Sequence, residues 1–426
     1  MSFCATKRPS QGVGLPLLAL LAWGCADGMT AGSPLDLTER VPGCGGFRRG
    51  CTADTDRNVV SPSHGPARTG TPVNVRDNPD AGGRPTRDVP SADTASGVQL
   101  QVPLKHTPPG LLVAFIGDQG ASVSADAVLE LIAHEGADAV LHGGDFDYRD
   151  DPAGWESRIE SVFGKDYPYL STVGNHDAFA WSGPTGYQAK IAERVARSPD
   201  LHCDGEVGVT AACEFRGLKI LQSCVGVQEL DPAGCAADAR PQLDFLAHAL
   251  ARHDHLWTIC TWHKNQRDFQ IGSKNDEVGF GAYRLCMEHG AIIATAHEHS
   301  YARTTTLSDI GNSLTGHGAY ALQDAVEVAP GKTFAFVSGL GGRSIRGYDA
   351  SHDTDTWWGA YAANNAWMSN GVVKNGTADY GALFIRFNVD GEPDKARGYF
   401  KDITGRILDD FIIYARPNSN SVPLQE

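Results

Sequence analysis

The sequence predicts an α/β protein whose ordered body is one domain of about 300 residues. Two observations carry this. Short apolar runs alternate with segments of helical spacing between residues 111 and 299, and the runs end in polar residues, where open α/β sheets place ligand sites. Further strand-like segments then follow with few helices between them, which predicts a second sheet.

The elements follow in order. Leu111 to Ile116 reads as a buried strand ending in Gly117-Asp118, and Ala125 to His134 has helical spacing. Ala139 to Leu141 is a second strand, ending in Gly143-Gly144-Asp145, and Trp155 to Phe163 a second helix. Tyr169 to Val173 is a strand that ends in Gly174-Asn175-His176-Asp177. Trp257 to Trp262 is a strand ending in His263, Gly281 to Glu288 a helix, and Ala291 to Ala296 a strand ending in His297-Glu298-His299. Phe334 to Ser338, Gly381 to Val389, Ala396 to Asp402 and Arg406 to Tyr414 are the segments assigned to the second sheet. No internal repeat is present.

Ahead of this body the chain changes character. Lys7 and Arg8 precede an almost wholly apolar run, Val13 to Trp23, which is too short to cross a bilayer but fits the core of an export signal. Leu21-Ala22-Trp23-Gly24-Cys25 resembles a bacterial lipoprotein cleavage box, although Leu is usual where Ala22 stands. The expected organisation is a signal at 1–24, a flexible tether rich in Gly, Pro, Thr, Asp and Arg at 25–107, the folded domain at 108–416 and a tail at 417–426. This places the protein in the periplasm, on the outer surface or outside the cell of a bacterium. It is either lipid-anchored through Cys25 or secreted in the ordinary way.

Cysteine usage agrees with export. Besides Cys4 and Cys25 the chain has Cys44, Cys51, Cys203, Cys213, Cys224, Cys235, Cys260 and Cys286. An even number suits disulfides. The close pairs Cys44 with Cys51, Cys203 with Cys213 and Cys224 with Cys235 are the first guess and leave Cys260 with Cys286, although spacing alone does not fix connectivity. The absence of Cys-x-x-Cys argues against a thiolate zinc site. A net charge of -15 repels phosphate backbones at long range and argues against a dedicated nucleic-acid partner.

Asp118, Asp145, Tyr148, Asn175, His263, His297 and His299 follow strand ends and carry oxygen or nitrogen donors suited to hard or borderline metals. Each alone is an ordinary turn, packing or surface residue. Together and in this order they suffice for two ions. Cations about 3.5–4 Å apart repel, so one carboxylate must bridge them, and Asp145 is central in the series. His297 and His299, two apart, point to one side of an extended strand, so each can reach a different ion.

The order Gly117-Asp118-Gln119-Gly120, Gly144-Asp145-Phe146-Asp147-Tyr148, Gly174-Asn175-His176-Asp177, His263 and Ala296-His297-Glu298-His299 resembles the purple acid phosphatase branch of the calcineurin-like metallophosphoesterases. The motifs span 111–303, and Gly339-Leu340-Gly341-Gly342 is similar to the family's late glycine-rich strand end. Gly120 stands where other branches place a ligand His, with Tyr148 in compensation. Three departures are visible: Ala296 for the usual Gly, Asp177 for the more frequent Glu, and no paired His between the fourth and fifth motifs, where only His289 lies.

The resemblance implies a four-layer α/β/β/α sandwich with two mixed β-sheets. It also implies a first ion on Asp118, Tyr148 and His299, a second on Asn175, His263 and His297, and Asp145 bridging them. The phenolate implies Fe(III), with Zn, Mn or Fe(II) beside it. The implied function is an exported phosphatase hydrolysing monoesters of small phosphate substrates by attack of metal-bound hydroxide. A phosphodiesterase or nucleotide pyrophosphatase of the same superfamily is the alternative, and a non-catalytic binding module a remote one. His176 is expected to touch the phosphate or protonate the leaving oxygen, with Asp177 orienting it or capping the next segment. Lys264, Asn265, Gln266 and Lys274 are candidates for phosphate contact, and Trp357, Trp358, Tyr361 and Trp367 for the mouth of the site. The sequence sets no oligomeric state.

Overall fold

The computed structural model describes residues 103–312, 316–320 and 322–416. The expected signal, Cys25, the Cys44 and Cys51 pair, the tether up to residue 102 and the tail lie outside the described residues. Residues 103–107, assigned above to the tether, are held against the domain: Lys105 bridges His255, and Thr107 is buried.

The strands are β1 (Leu112–Ile116), β2 (Ala139–His142), β3 (Tyr169–Ser171), β4 (Leu201–Glu206), β5 (Thr210–Phe215), β6 (Leu218–Ser223), β7 (Trp257–Thr261), β8 (Ile292–Thr295), β9 (Tyr301–Thr304), β10 (Ala325–Val328), β11 (Ala335–Ser338), β12 (Trp358–Ala362), β13 (Ala366–Ser369), β14 (Val372–Asn375), β15 (Gly381–Val389), β16 (Glu392–Asp402) and β17 (Ile407–Ala415). The α-helices are α1 (Val123–Glu135), α2 (Pro152–Phe163), α3 (Tyr187–Arg197), α4 (Arg240–Leu250) and α5 (Gly281–Glu288). They form a seven-stranded sheet, β10-β17-β16-β15-β1-β2-β3, and a ten-stranded sheet, β14-β13-β12-β9-β11-β8-β7-β6-β5-β4. Both are mixed: β1 runs parallel to β2 and antiparallel to β15, and β11 parallel to β8 and antiparallel to β9.

Alternation along the strands builds four layers, because successive side chains leave a strand on opposite faces. Val113, Phe115 and Leu141 of the first sheet share a core with Ile220, Ile259, Ile292 and Phe336 of the second. Leu112, Ala114, Ile116 and Val140 instead pack with Val128, Leu129 and Ile132 of α1, Trp155 and Ile159 of α2 and Ile191 of α3. On the other side, Leu221, Cys260, Ile293 and Val337 meet Leu246 of α4 and Tyr283 of α5. Helix, sheet, sheet and helix therefore lie in sequence, with two apolar faces on each central sheet strand. That is why β1, β2, β7 and β8 read as continuous apolar runs.

The late strands differ from expectation. Of the four segments assigned to the second sheet, only β11 belongs to it, while β15, β16 and β17 extend the first one from β1. Val113 pairs with Ile385 and Phe115 with Leu383, which gives the doubly apolar β15 burial on both faces. Three disulfides join Cys203 to Cys213, Cys224 to Cys235 and Cys260 to Cys286. The first links opposed residues of β4 and β5.

Candidate metal centre

Six strand ends from both sheets converge: β1 delivers Asp118, β2 Asp145 and Tyr148, β3 Asn175 and His176, β7 His263, and β8 His297 and His299, while the segment after β11 closes one side. The turns are hydrogen-bonded to one another. Asp118 N donates to Gly144 O at 3.0 Å, Ala296 N to His263 O at 3.0 Å and Gly341 N to Gly117 O at 3.0 Å. Such close nesting needs glycine. A methyl on Gly174 would collide with the Asp145 backbone, and one on Gly117 with the Ala296 methyl. The alanine at 296, unusual for the resembled family, is tolerated because glycines 117 and 143 face it. Asp118, Asp145, Tyr148 and His297 all have left-handed backbones, φ 54°, 61°, 57° and 68°. Such strain in non-glycine residues collects at functional sites.

The seven candidate ligands fall into two groups that share a neighbour. Tyr148 Oη is 3.1 Å from both Asp118 Oδ1 and His299 Nε2, which are 3.3 Å apart. His263 Nε2 lies 3.1 Å from Asn175 Oδ1, 3.1 Å from His297 Nδ1 and 3.3 Å from Asp145 Oδ1. Asp145 also interacts with the Tyr148 hydroxyl, so it touches both groups. The His297/His299 pair divides between them, although the turn at His297, not a strand extension, separates the two rings.

The ring nitrogens show what this arrangement can hold. His263 Nδ1 is 2.7 Å from Gly143 O, a carbonyl that only accepts, so the hydrogen is on Nδ1. His297 Nε2 is 2.7 Å from Glu277 Oε2, which places its hydrogen there. In the neutral imidazoles, His263 Nε2 and His297 Nδ1 then face each other as bare lone pairs, alongside the oxygens of Asn175 and Asp145. Lone pairs at such distances repel unless a positive charge lies between them, and the donor set suits a metal. Asp145, His263 and His297 by themselves present ligand atoms within 4.8 Å of one another. In the bare protein, burial opposes charge on His263, but Asp145 outweighs it and holds the imidazole up at about 9. Burial brings His297 down to about 4 despite Glu277. Burial, then the Asp118 and Asp145 carboxylates, pushes the Tyr148 phenol far up, so a phenolate there needs a strong Lewis acid.

Residues 111–301 match the calcineurin-like phosphoesterase family. No curated protein matches this chain. Among solved structures it resembles a purple acid phosphatase from seeds of yellow lupin (Lupinus luteus), at 15% identity and TM-score 0.49 over 75% of this chain, spanning 58% of the lupin protein's length. PhoD follows at 12% identity and TM-score 0.42, over 75% of this chain and 73% of the other. GAP50, the anchor in the inner membrane complex of Plasmodium, matches at 12% identity and TM-score 0.42, over 73% and 91%. These likenesses are too distant to assign an activity.

Around the candidate ligands, the domain has a cleft of about 420 Å³ whose further walls are His176, Lys274, Arg343, Ser344 and Arg346. His176 is exposed, its ring 4.5 Å from that of Tyr148, and its backbone N–H donates to Asp145 Oδ1 at 2.9 Å. Asp177 does not serve as its orienting partner. That buried carboxylate accepts from the backbone N–H of Asp145, Phe146 and Gly174, each at 2.8 Å, so it fixes the turn carrying Asp145 against the one carrying Asn175. Burial, with Asp145 nearby, pushes Asp177 up to about 8 against those amides.

Of the four polar residues named after the fourth motif, Lys274 alone lines the cleft. Lys264 is paired with Glu229 and Glu277, Asn265 donates to Ala296 O, and Gln266 caps a short turn. Trp357, Trp358 and Tyr361 are buried in the core beside α5, and Trp367 packs at the edge of the inter-sheet core. Glu277, Ser344, Arg343 and Arg346 escaped the sequence reading. Ser344 pairs with His299 Nδ1. The glycine-rich stretch just before Arg343 was the available signal.

Proposed function

We propose that this phosphoesterase is an exported two-metal phosphatase of the purple acid phosphatase kind, hydrolysing phosphate monoesters. The observation that carries this is Tyr148, set 3.1 Å from Asp118 and His299, with Asp145 between that group and the His263, Asn175 and His297 group. Asp118, Tyr148 and His299 would hold one ion, Asn175, His263 and His297 the other, and Asp145 both. A phenolate ligand favours Fe(III) in the first position, with Zn, Mn or Fe(II) in the second. Bound there, the cations supply a water of lowered pKa and neutralise charge growing on the phosphoryl oxygens. Export is supported by three disulfides, which persist in oxidising compartments. Attachment through a lipidated Cys25 belongs to the same reading.

The protein's own part is positioning and proton delivery. His176 sits on the cleft wall, and its backbone is tied to Asp145. Its imidazole donates a ring N–H to the leaving oxygen as the ester P–O bond breaks. Asp177 keeps the two loops in register, a positioning role. The test is turnover of an aryl phosphate and of its bis-ester, side by side, by the native chain and by His176→Ala. The monoester should be the better substrate, and the variant should lose about 10²–10⁴-fold while keeping its metals. Faster cleavage of the bis-ester would make the enzyme a diesterase, and undiminished turnover in the variant would remove the role of His176.

A further inference from the structure

Three side chains in the cleft carry positive charge that is only weakly matched among the described residues. Lys274 Nζ donates to a neutral acceptor, His297 O, at 2.7 Å. Arg343 lies over the Tyr148 ring at 4.7 Å, and neither Lys274 nor Arg343 is ion-paired among the described residues. Arg346 reaches Glu298 only at 3.5 Å and remains 44% exposed. Buried cations elsewhere are matched closely where they are paired, as Lys264 is by Glu229 and Glu277 at 2.9 and 2.8 Å and Arg303 by Asp409 at 2.6 Å. In a chain of net charge -15, three weakly matched cations gathered in one cleft are a local reversal of sign.

Their attachment fixes where this charge sits. Arg343 N donates to Asp118 O at 3.0 Å and Arg346 N to His299 O at 2.8 Å, which ties their loop to the Tyr148 ligand group. Lys274 is tied to His297, in the other group. The cations therefore border the ligands of both proposed ions. A cleft of about 420 Å³ falls within the roughly 300–1,000 Å³ of small-molecule sites, so there is room beyond the reacting phosphoryl group for the leaving group.

We propose that Lys274, Arg343 and Arg346 form an anion subsite for a second phosphoryl group, so that the preferred substrates have a leaving group that is itself phosphorylated. This rests on the two-metal phosphatase reading. Two guanidinium forks suit phosphate oxygens geometrically, and the ammonium adds a point charge. In the reaction, water forms the new P–O bond and the bond to the leaving oxygen breaks. One proton of that water stays on the released phosphate, and the other goes to the solvent, from which His176 regains the proton it gives to the leaving oxygen. Positive charge beside the leaving group binds the second phosphate that it carries.

The experiment compares kcat/KM on glycerol 2-phosphate, on fructose 1,6-bisphosphate and on inorganic pyrophosphate, using the metal-loaded chain and Arg346→Gln. The native enzyme should prefer at least one doubly phosphorylated substrate by about tenfold or more. The bisphosphate arm reports a phosphorylated alcohol and the pyrophosphate arm an anhydride. Arg346→Gln should cut that preference to about threefold or less, mainly through KM, with little change on glycerol 2-phosphate, and Arg346→Lys should restore part of it. No native preference, or equal losses on all three substrates, would overturn the subsite alone. A metal-loaded chain inactive on all three would overturn the phosphatase reading and the subsite with it.

Discussion

His297 turns one ring nitrogen towards His263 and gives the other to Glu277, and that division has consequences for metal binding. The Tyr148 group has two carboxylates and a phenol within reach, and the far nitrogen of its histidine, His299, meets a neutral hydroxyl, Ser344. The Asn175 group has neutral ligands apart from the shared Asp145. Glu277 sits behind it and is itself held by Lys264 at 2.8 Å, supplying from outside the negative charge that this group lacks. Outer partners of this kind typically govern about 10–100-fold in metal affinity. Glu277→Gln should therefore release one ion of two, with the remaining ion bound as before, as measured by metal content after dialysis against a weak chelator. Equal retention of both ions would remove this role. The seven candidate ligands were legible because each stands just past an apolar run. Glu277 follows no strand, and a carboxylate in a polar loop reads as a solvated charge. Arg343 and Arg346 were hidden in the same way.

The elements matter chiefly as carriers of turns. β1, β2, β3, β7 and β8 were legible because burial on both faces leaves short unbroken apolar runs, and α5 because its spacing is regular. β4 was not, since His202, Asp204, Gly205 and Glu206 give it little apolar signal and its opposed Cys203–Cys213 pair is a constraint from outside the strand. β15 to β17 were recognised as strands but assigned to the wrong sheet, because an apolar strand does not carry the identity of its neighbour. The functional turns pack so tightly that Gly174→Ala must displace Asp145 or its own backbone. This substitution should cost about 1–3 kcal/mol in chemical denaturation and reduce metal content at the same time. Stability and metal binding both unchanged would show that the turns are looser than this geometry requires.

At the scale of the molecule, two sheets packed face to face place strand ends from both at one cleft, and the shared core between them holds the two ligand groups in register. The fold class was legible from the alternation of runs and helices, whereas the layer to which each late strand belongs was not. The acidic chain and the cationic cleft oppose each other, so anionic substrates meet attraction only near the site. The measurement that reaches the central claim most directly is metal analysis of the purified protein, together with its visible absorption spectrum and that of Tyr148→Phe. The account predicts two ions per chain, one of them iron, and a broad visible band that is lost or strongly weakened in the variant. A chain that binds no metal, or an iron-loaded protein whose spectrum does not respond to the loss of the phenol, would contradict it.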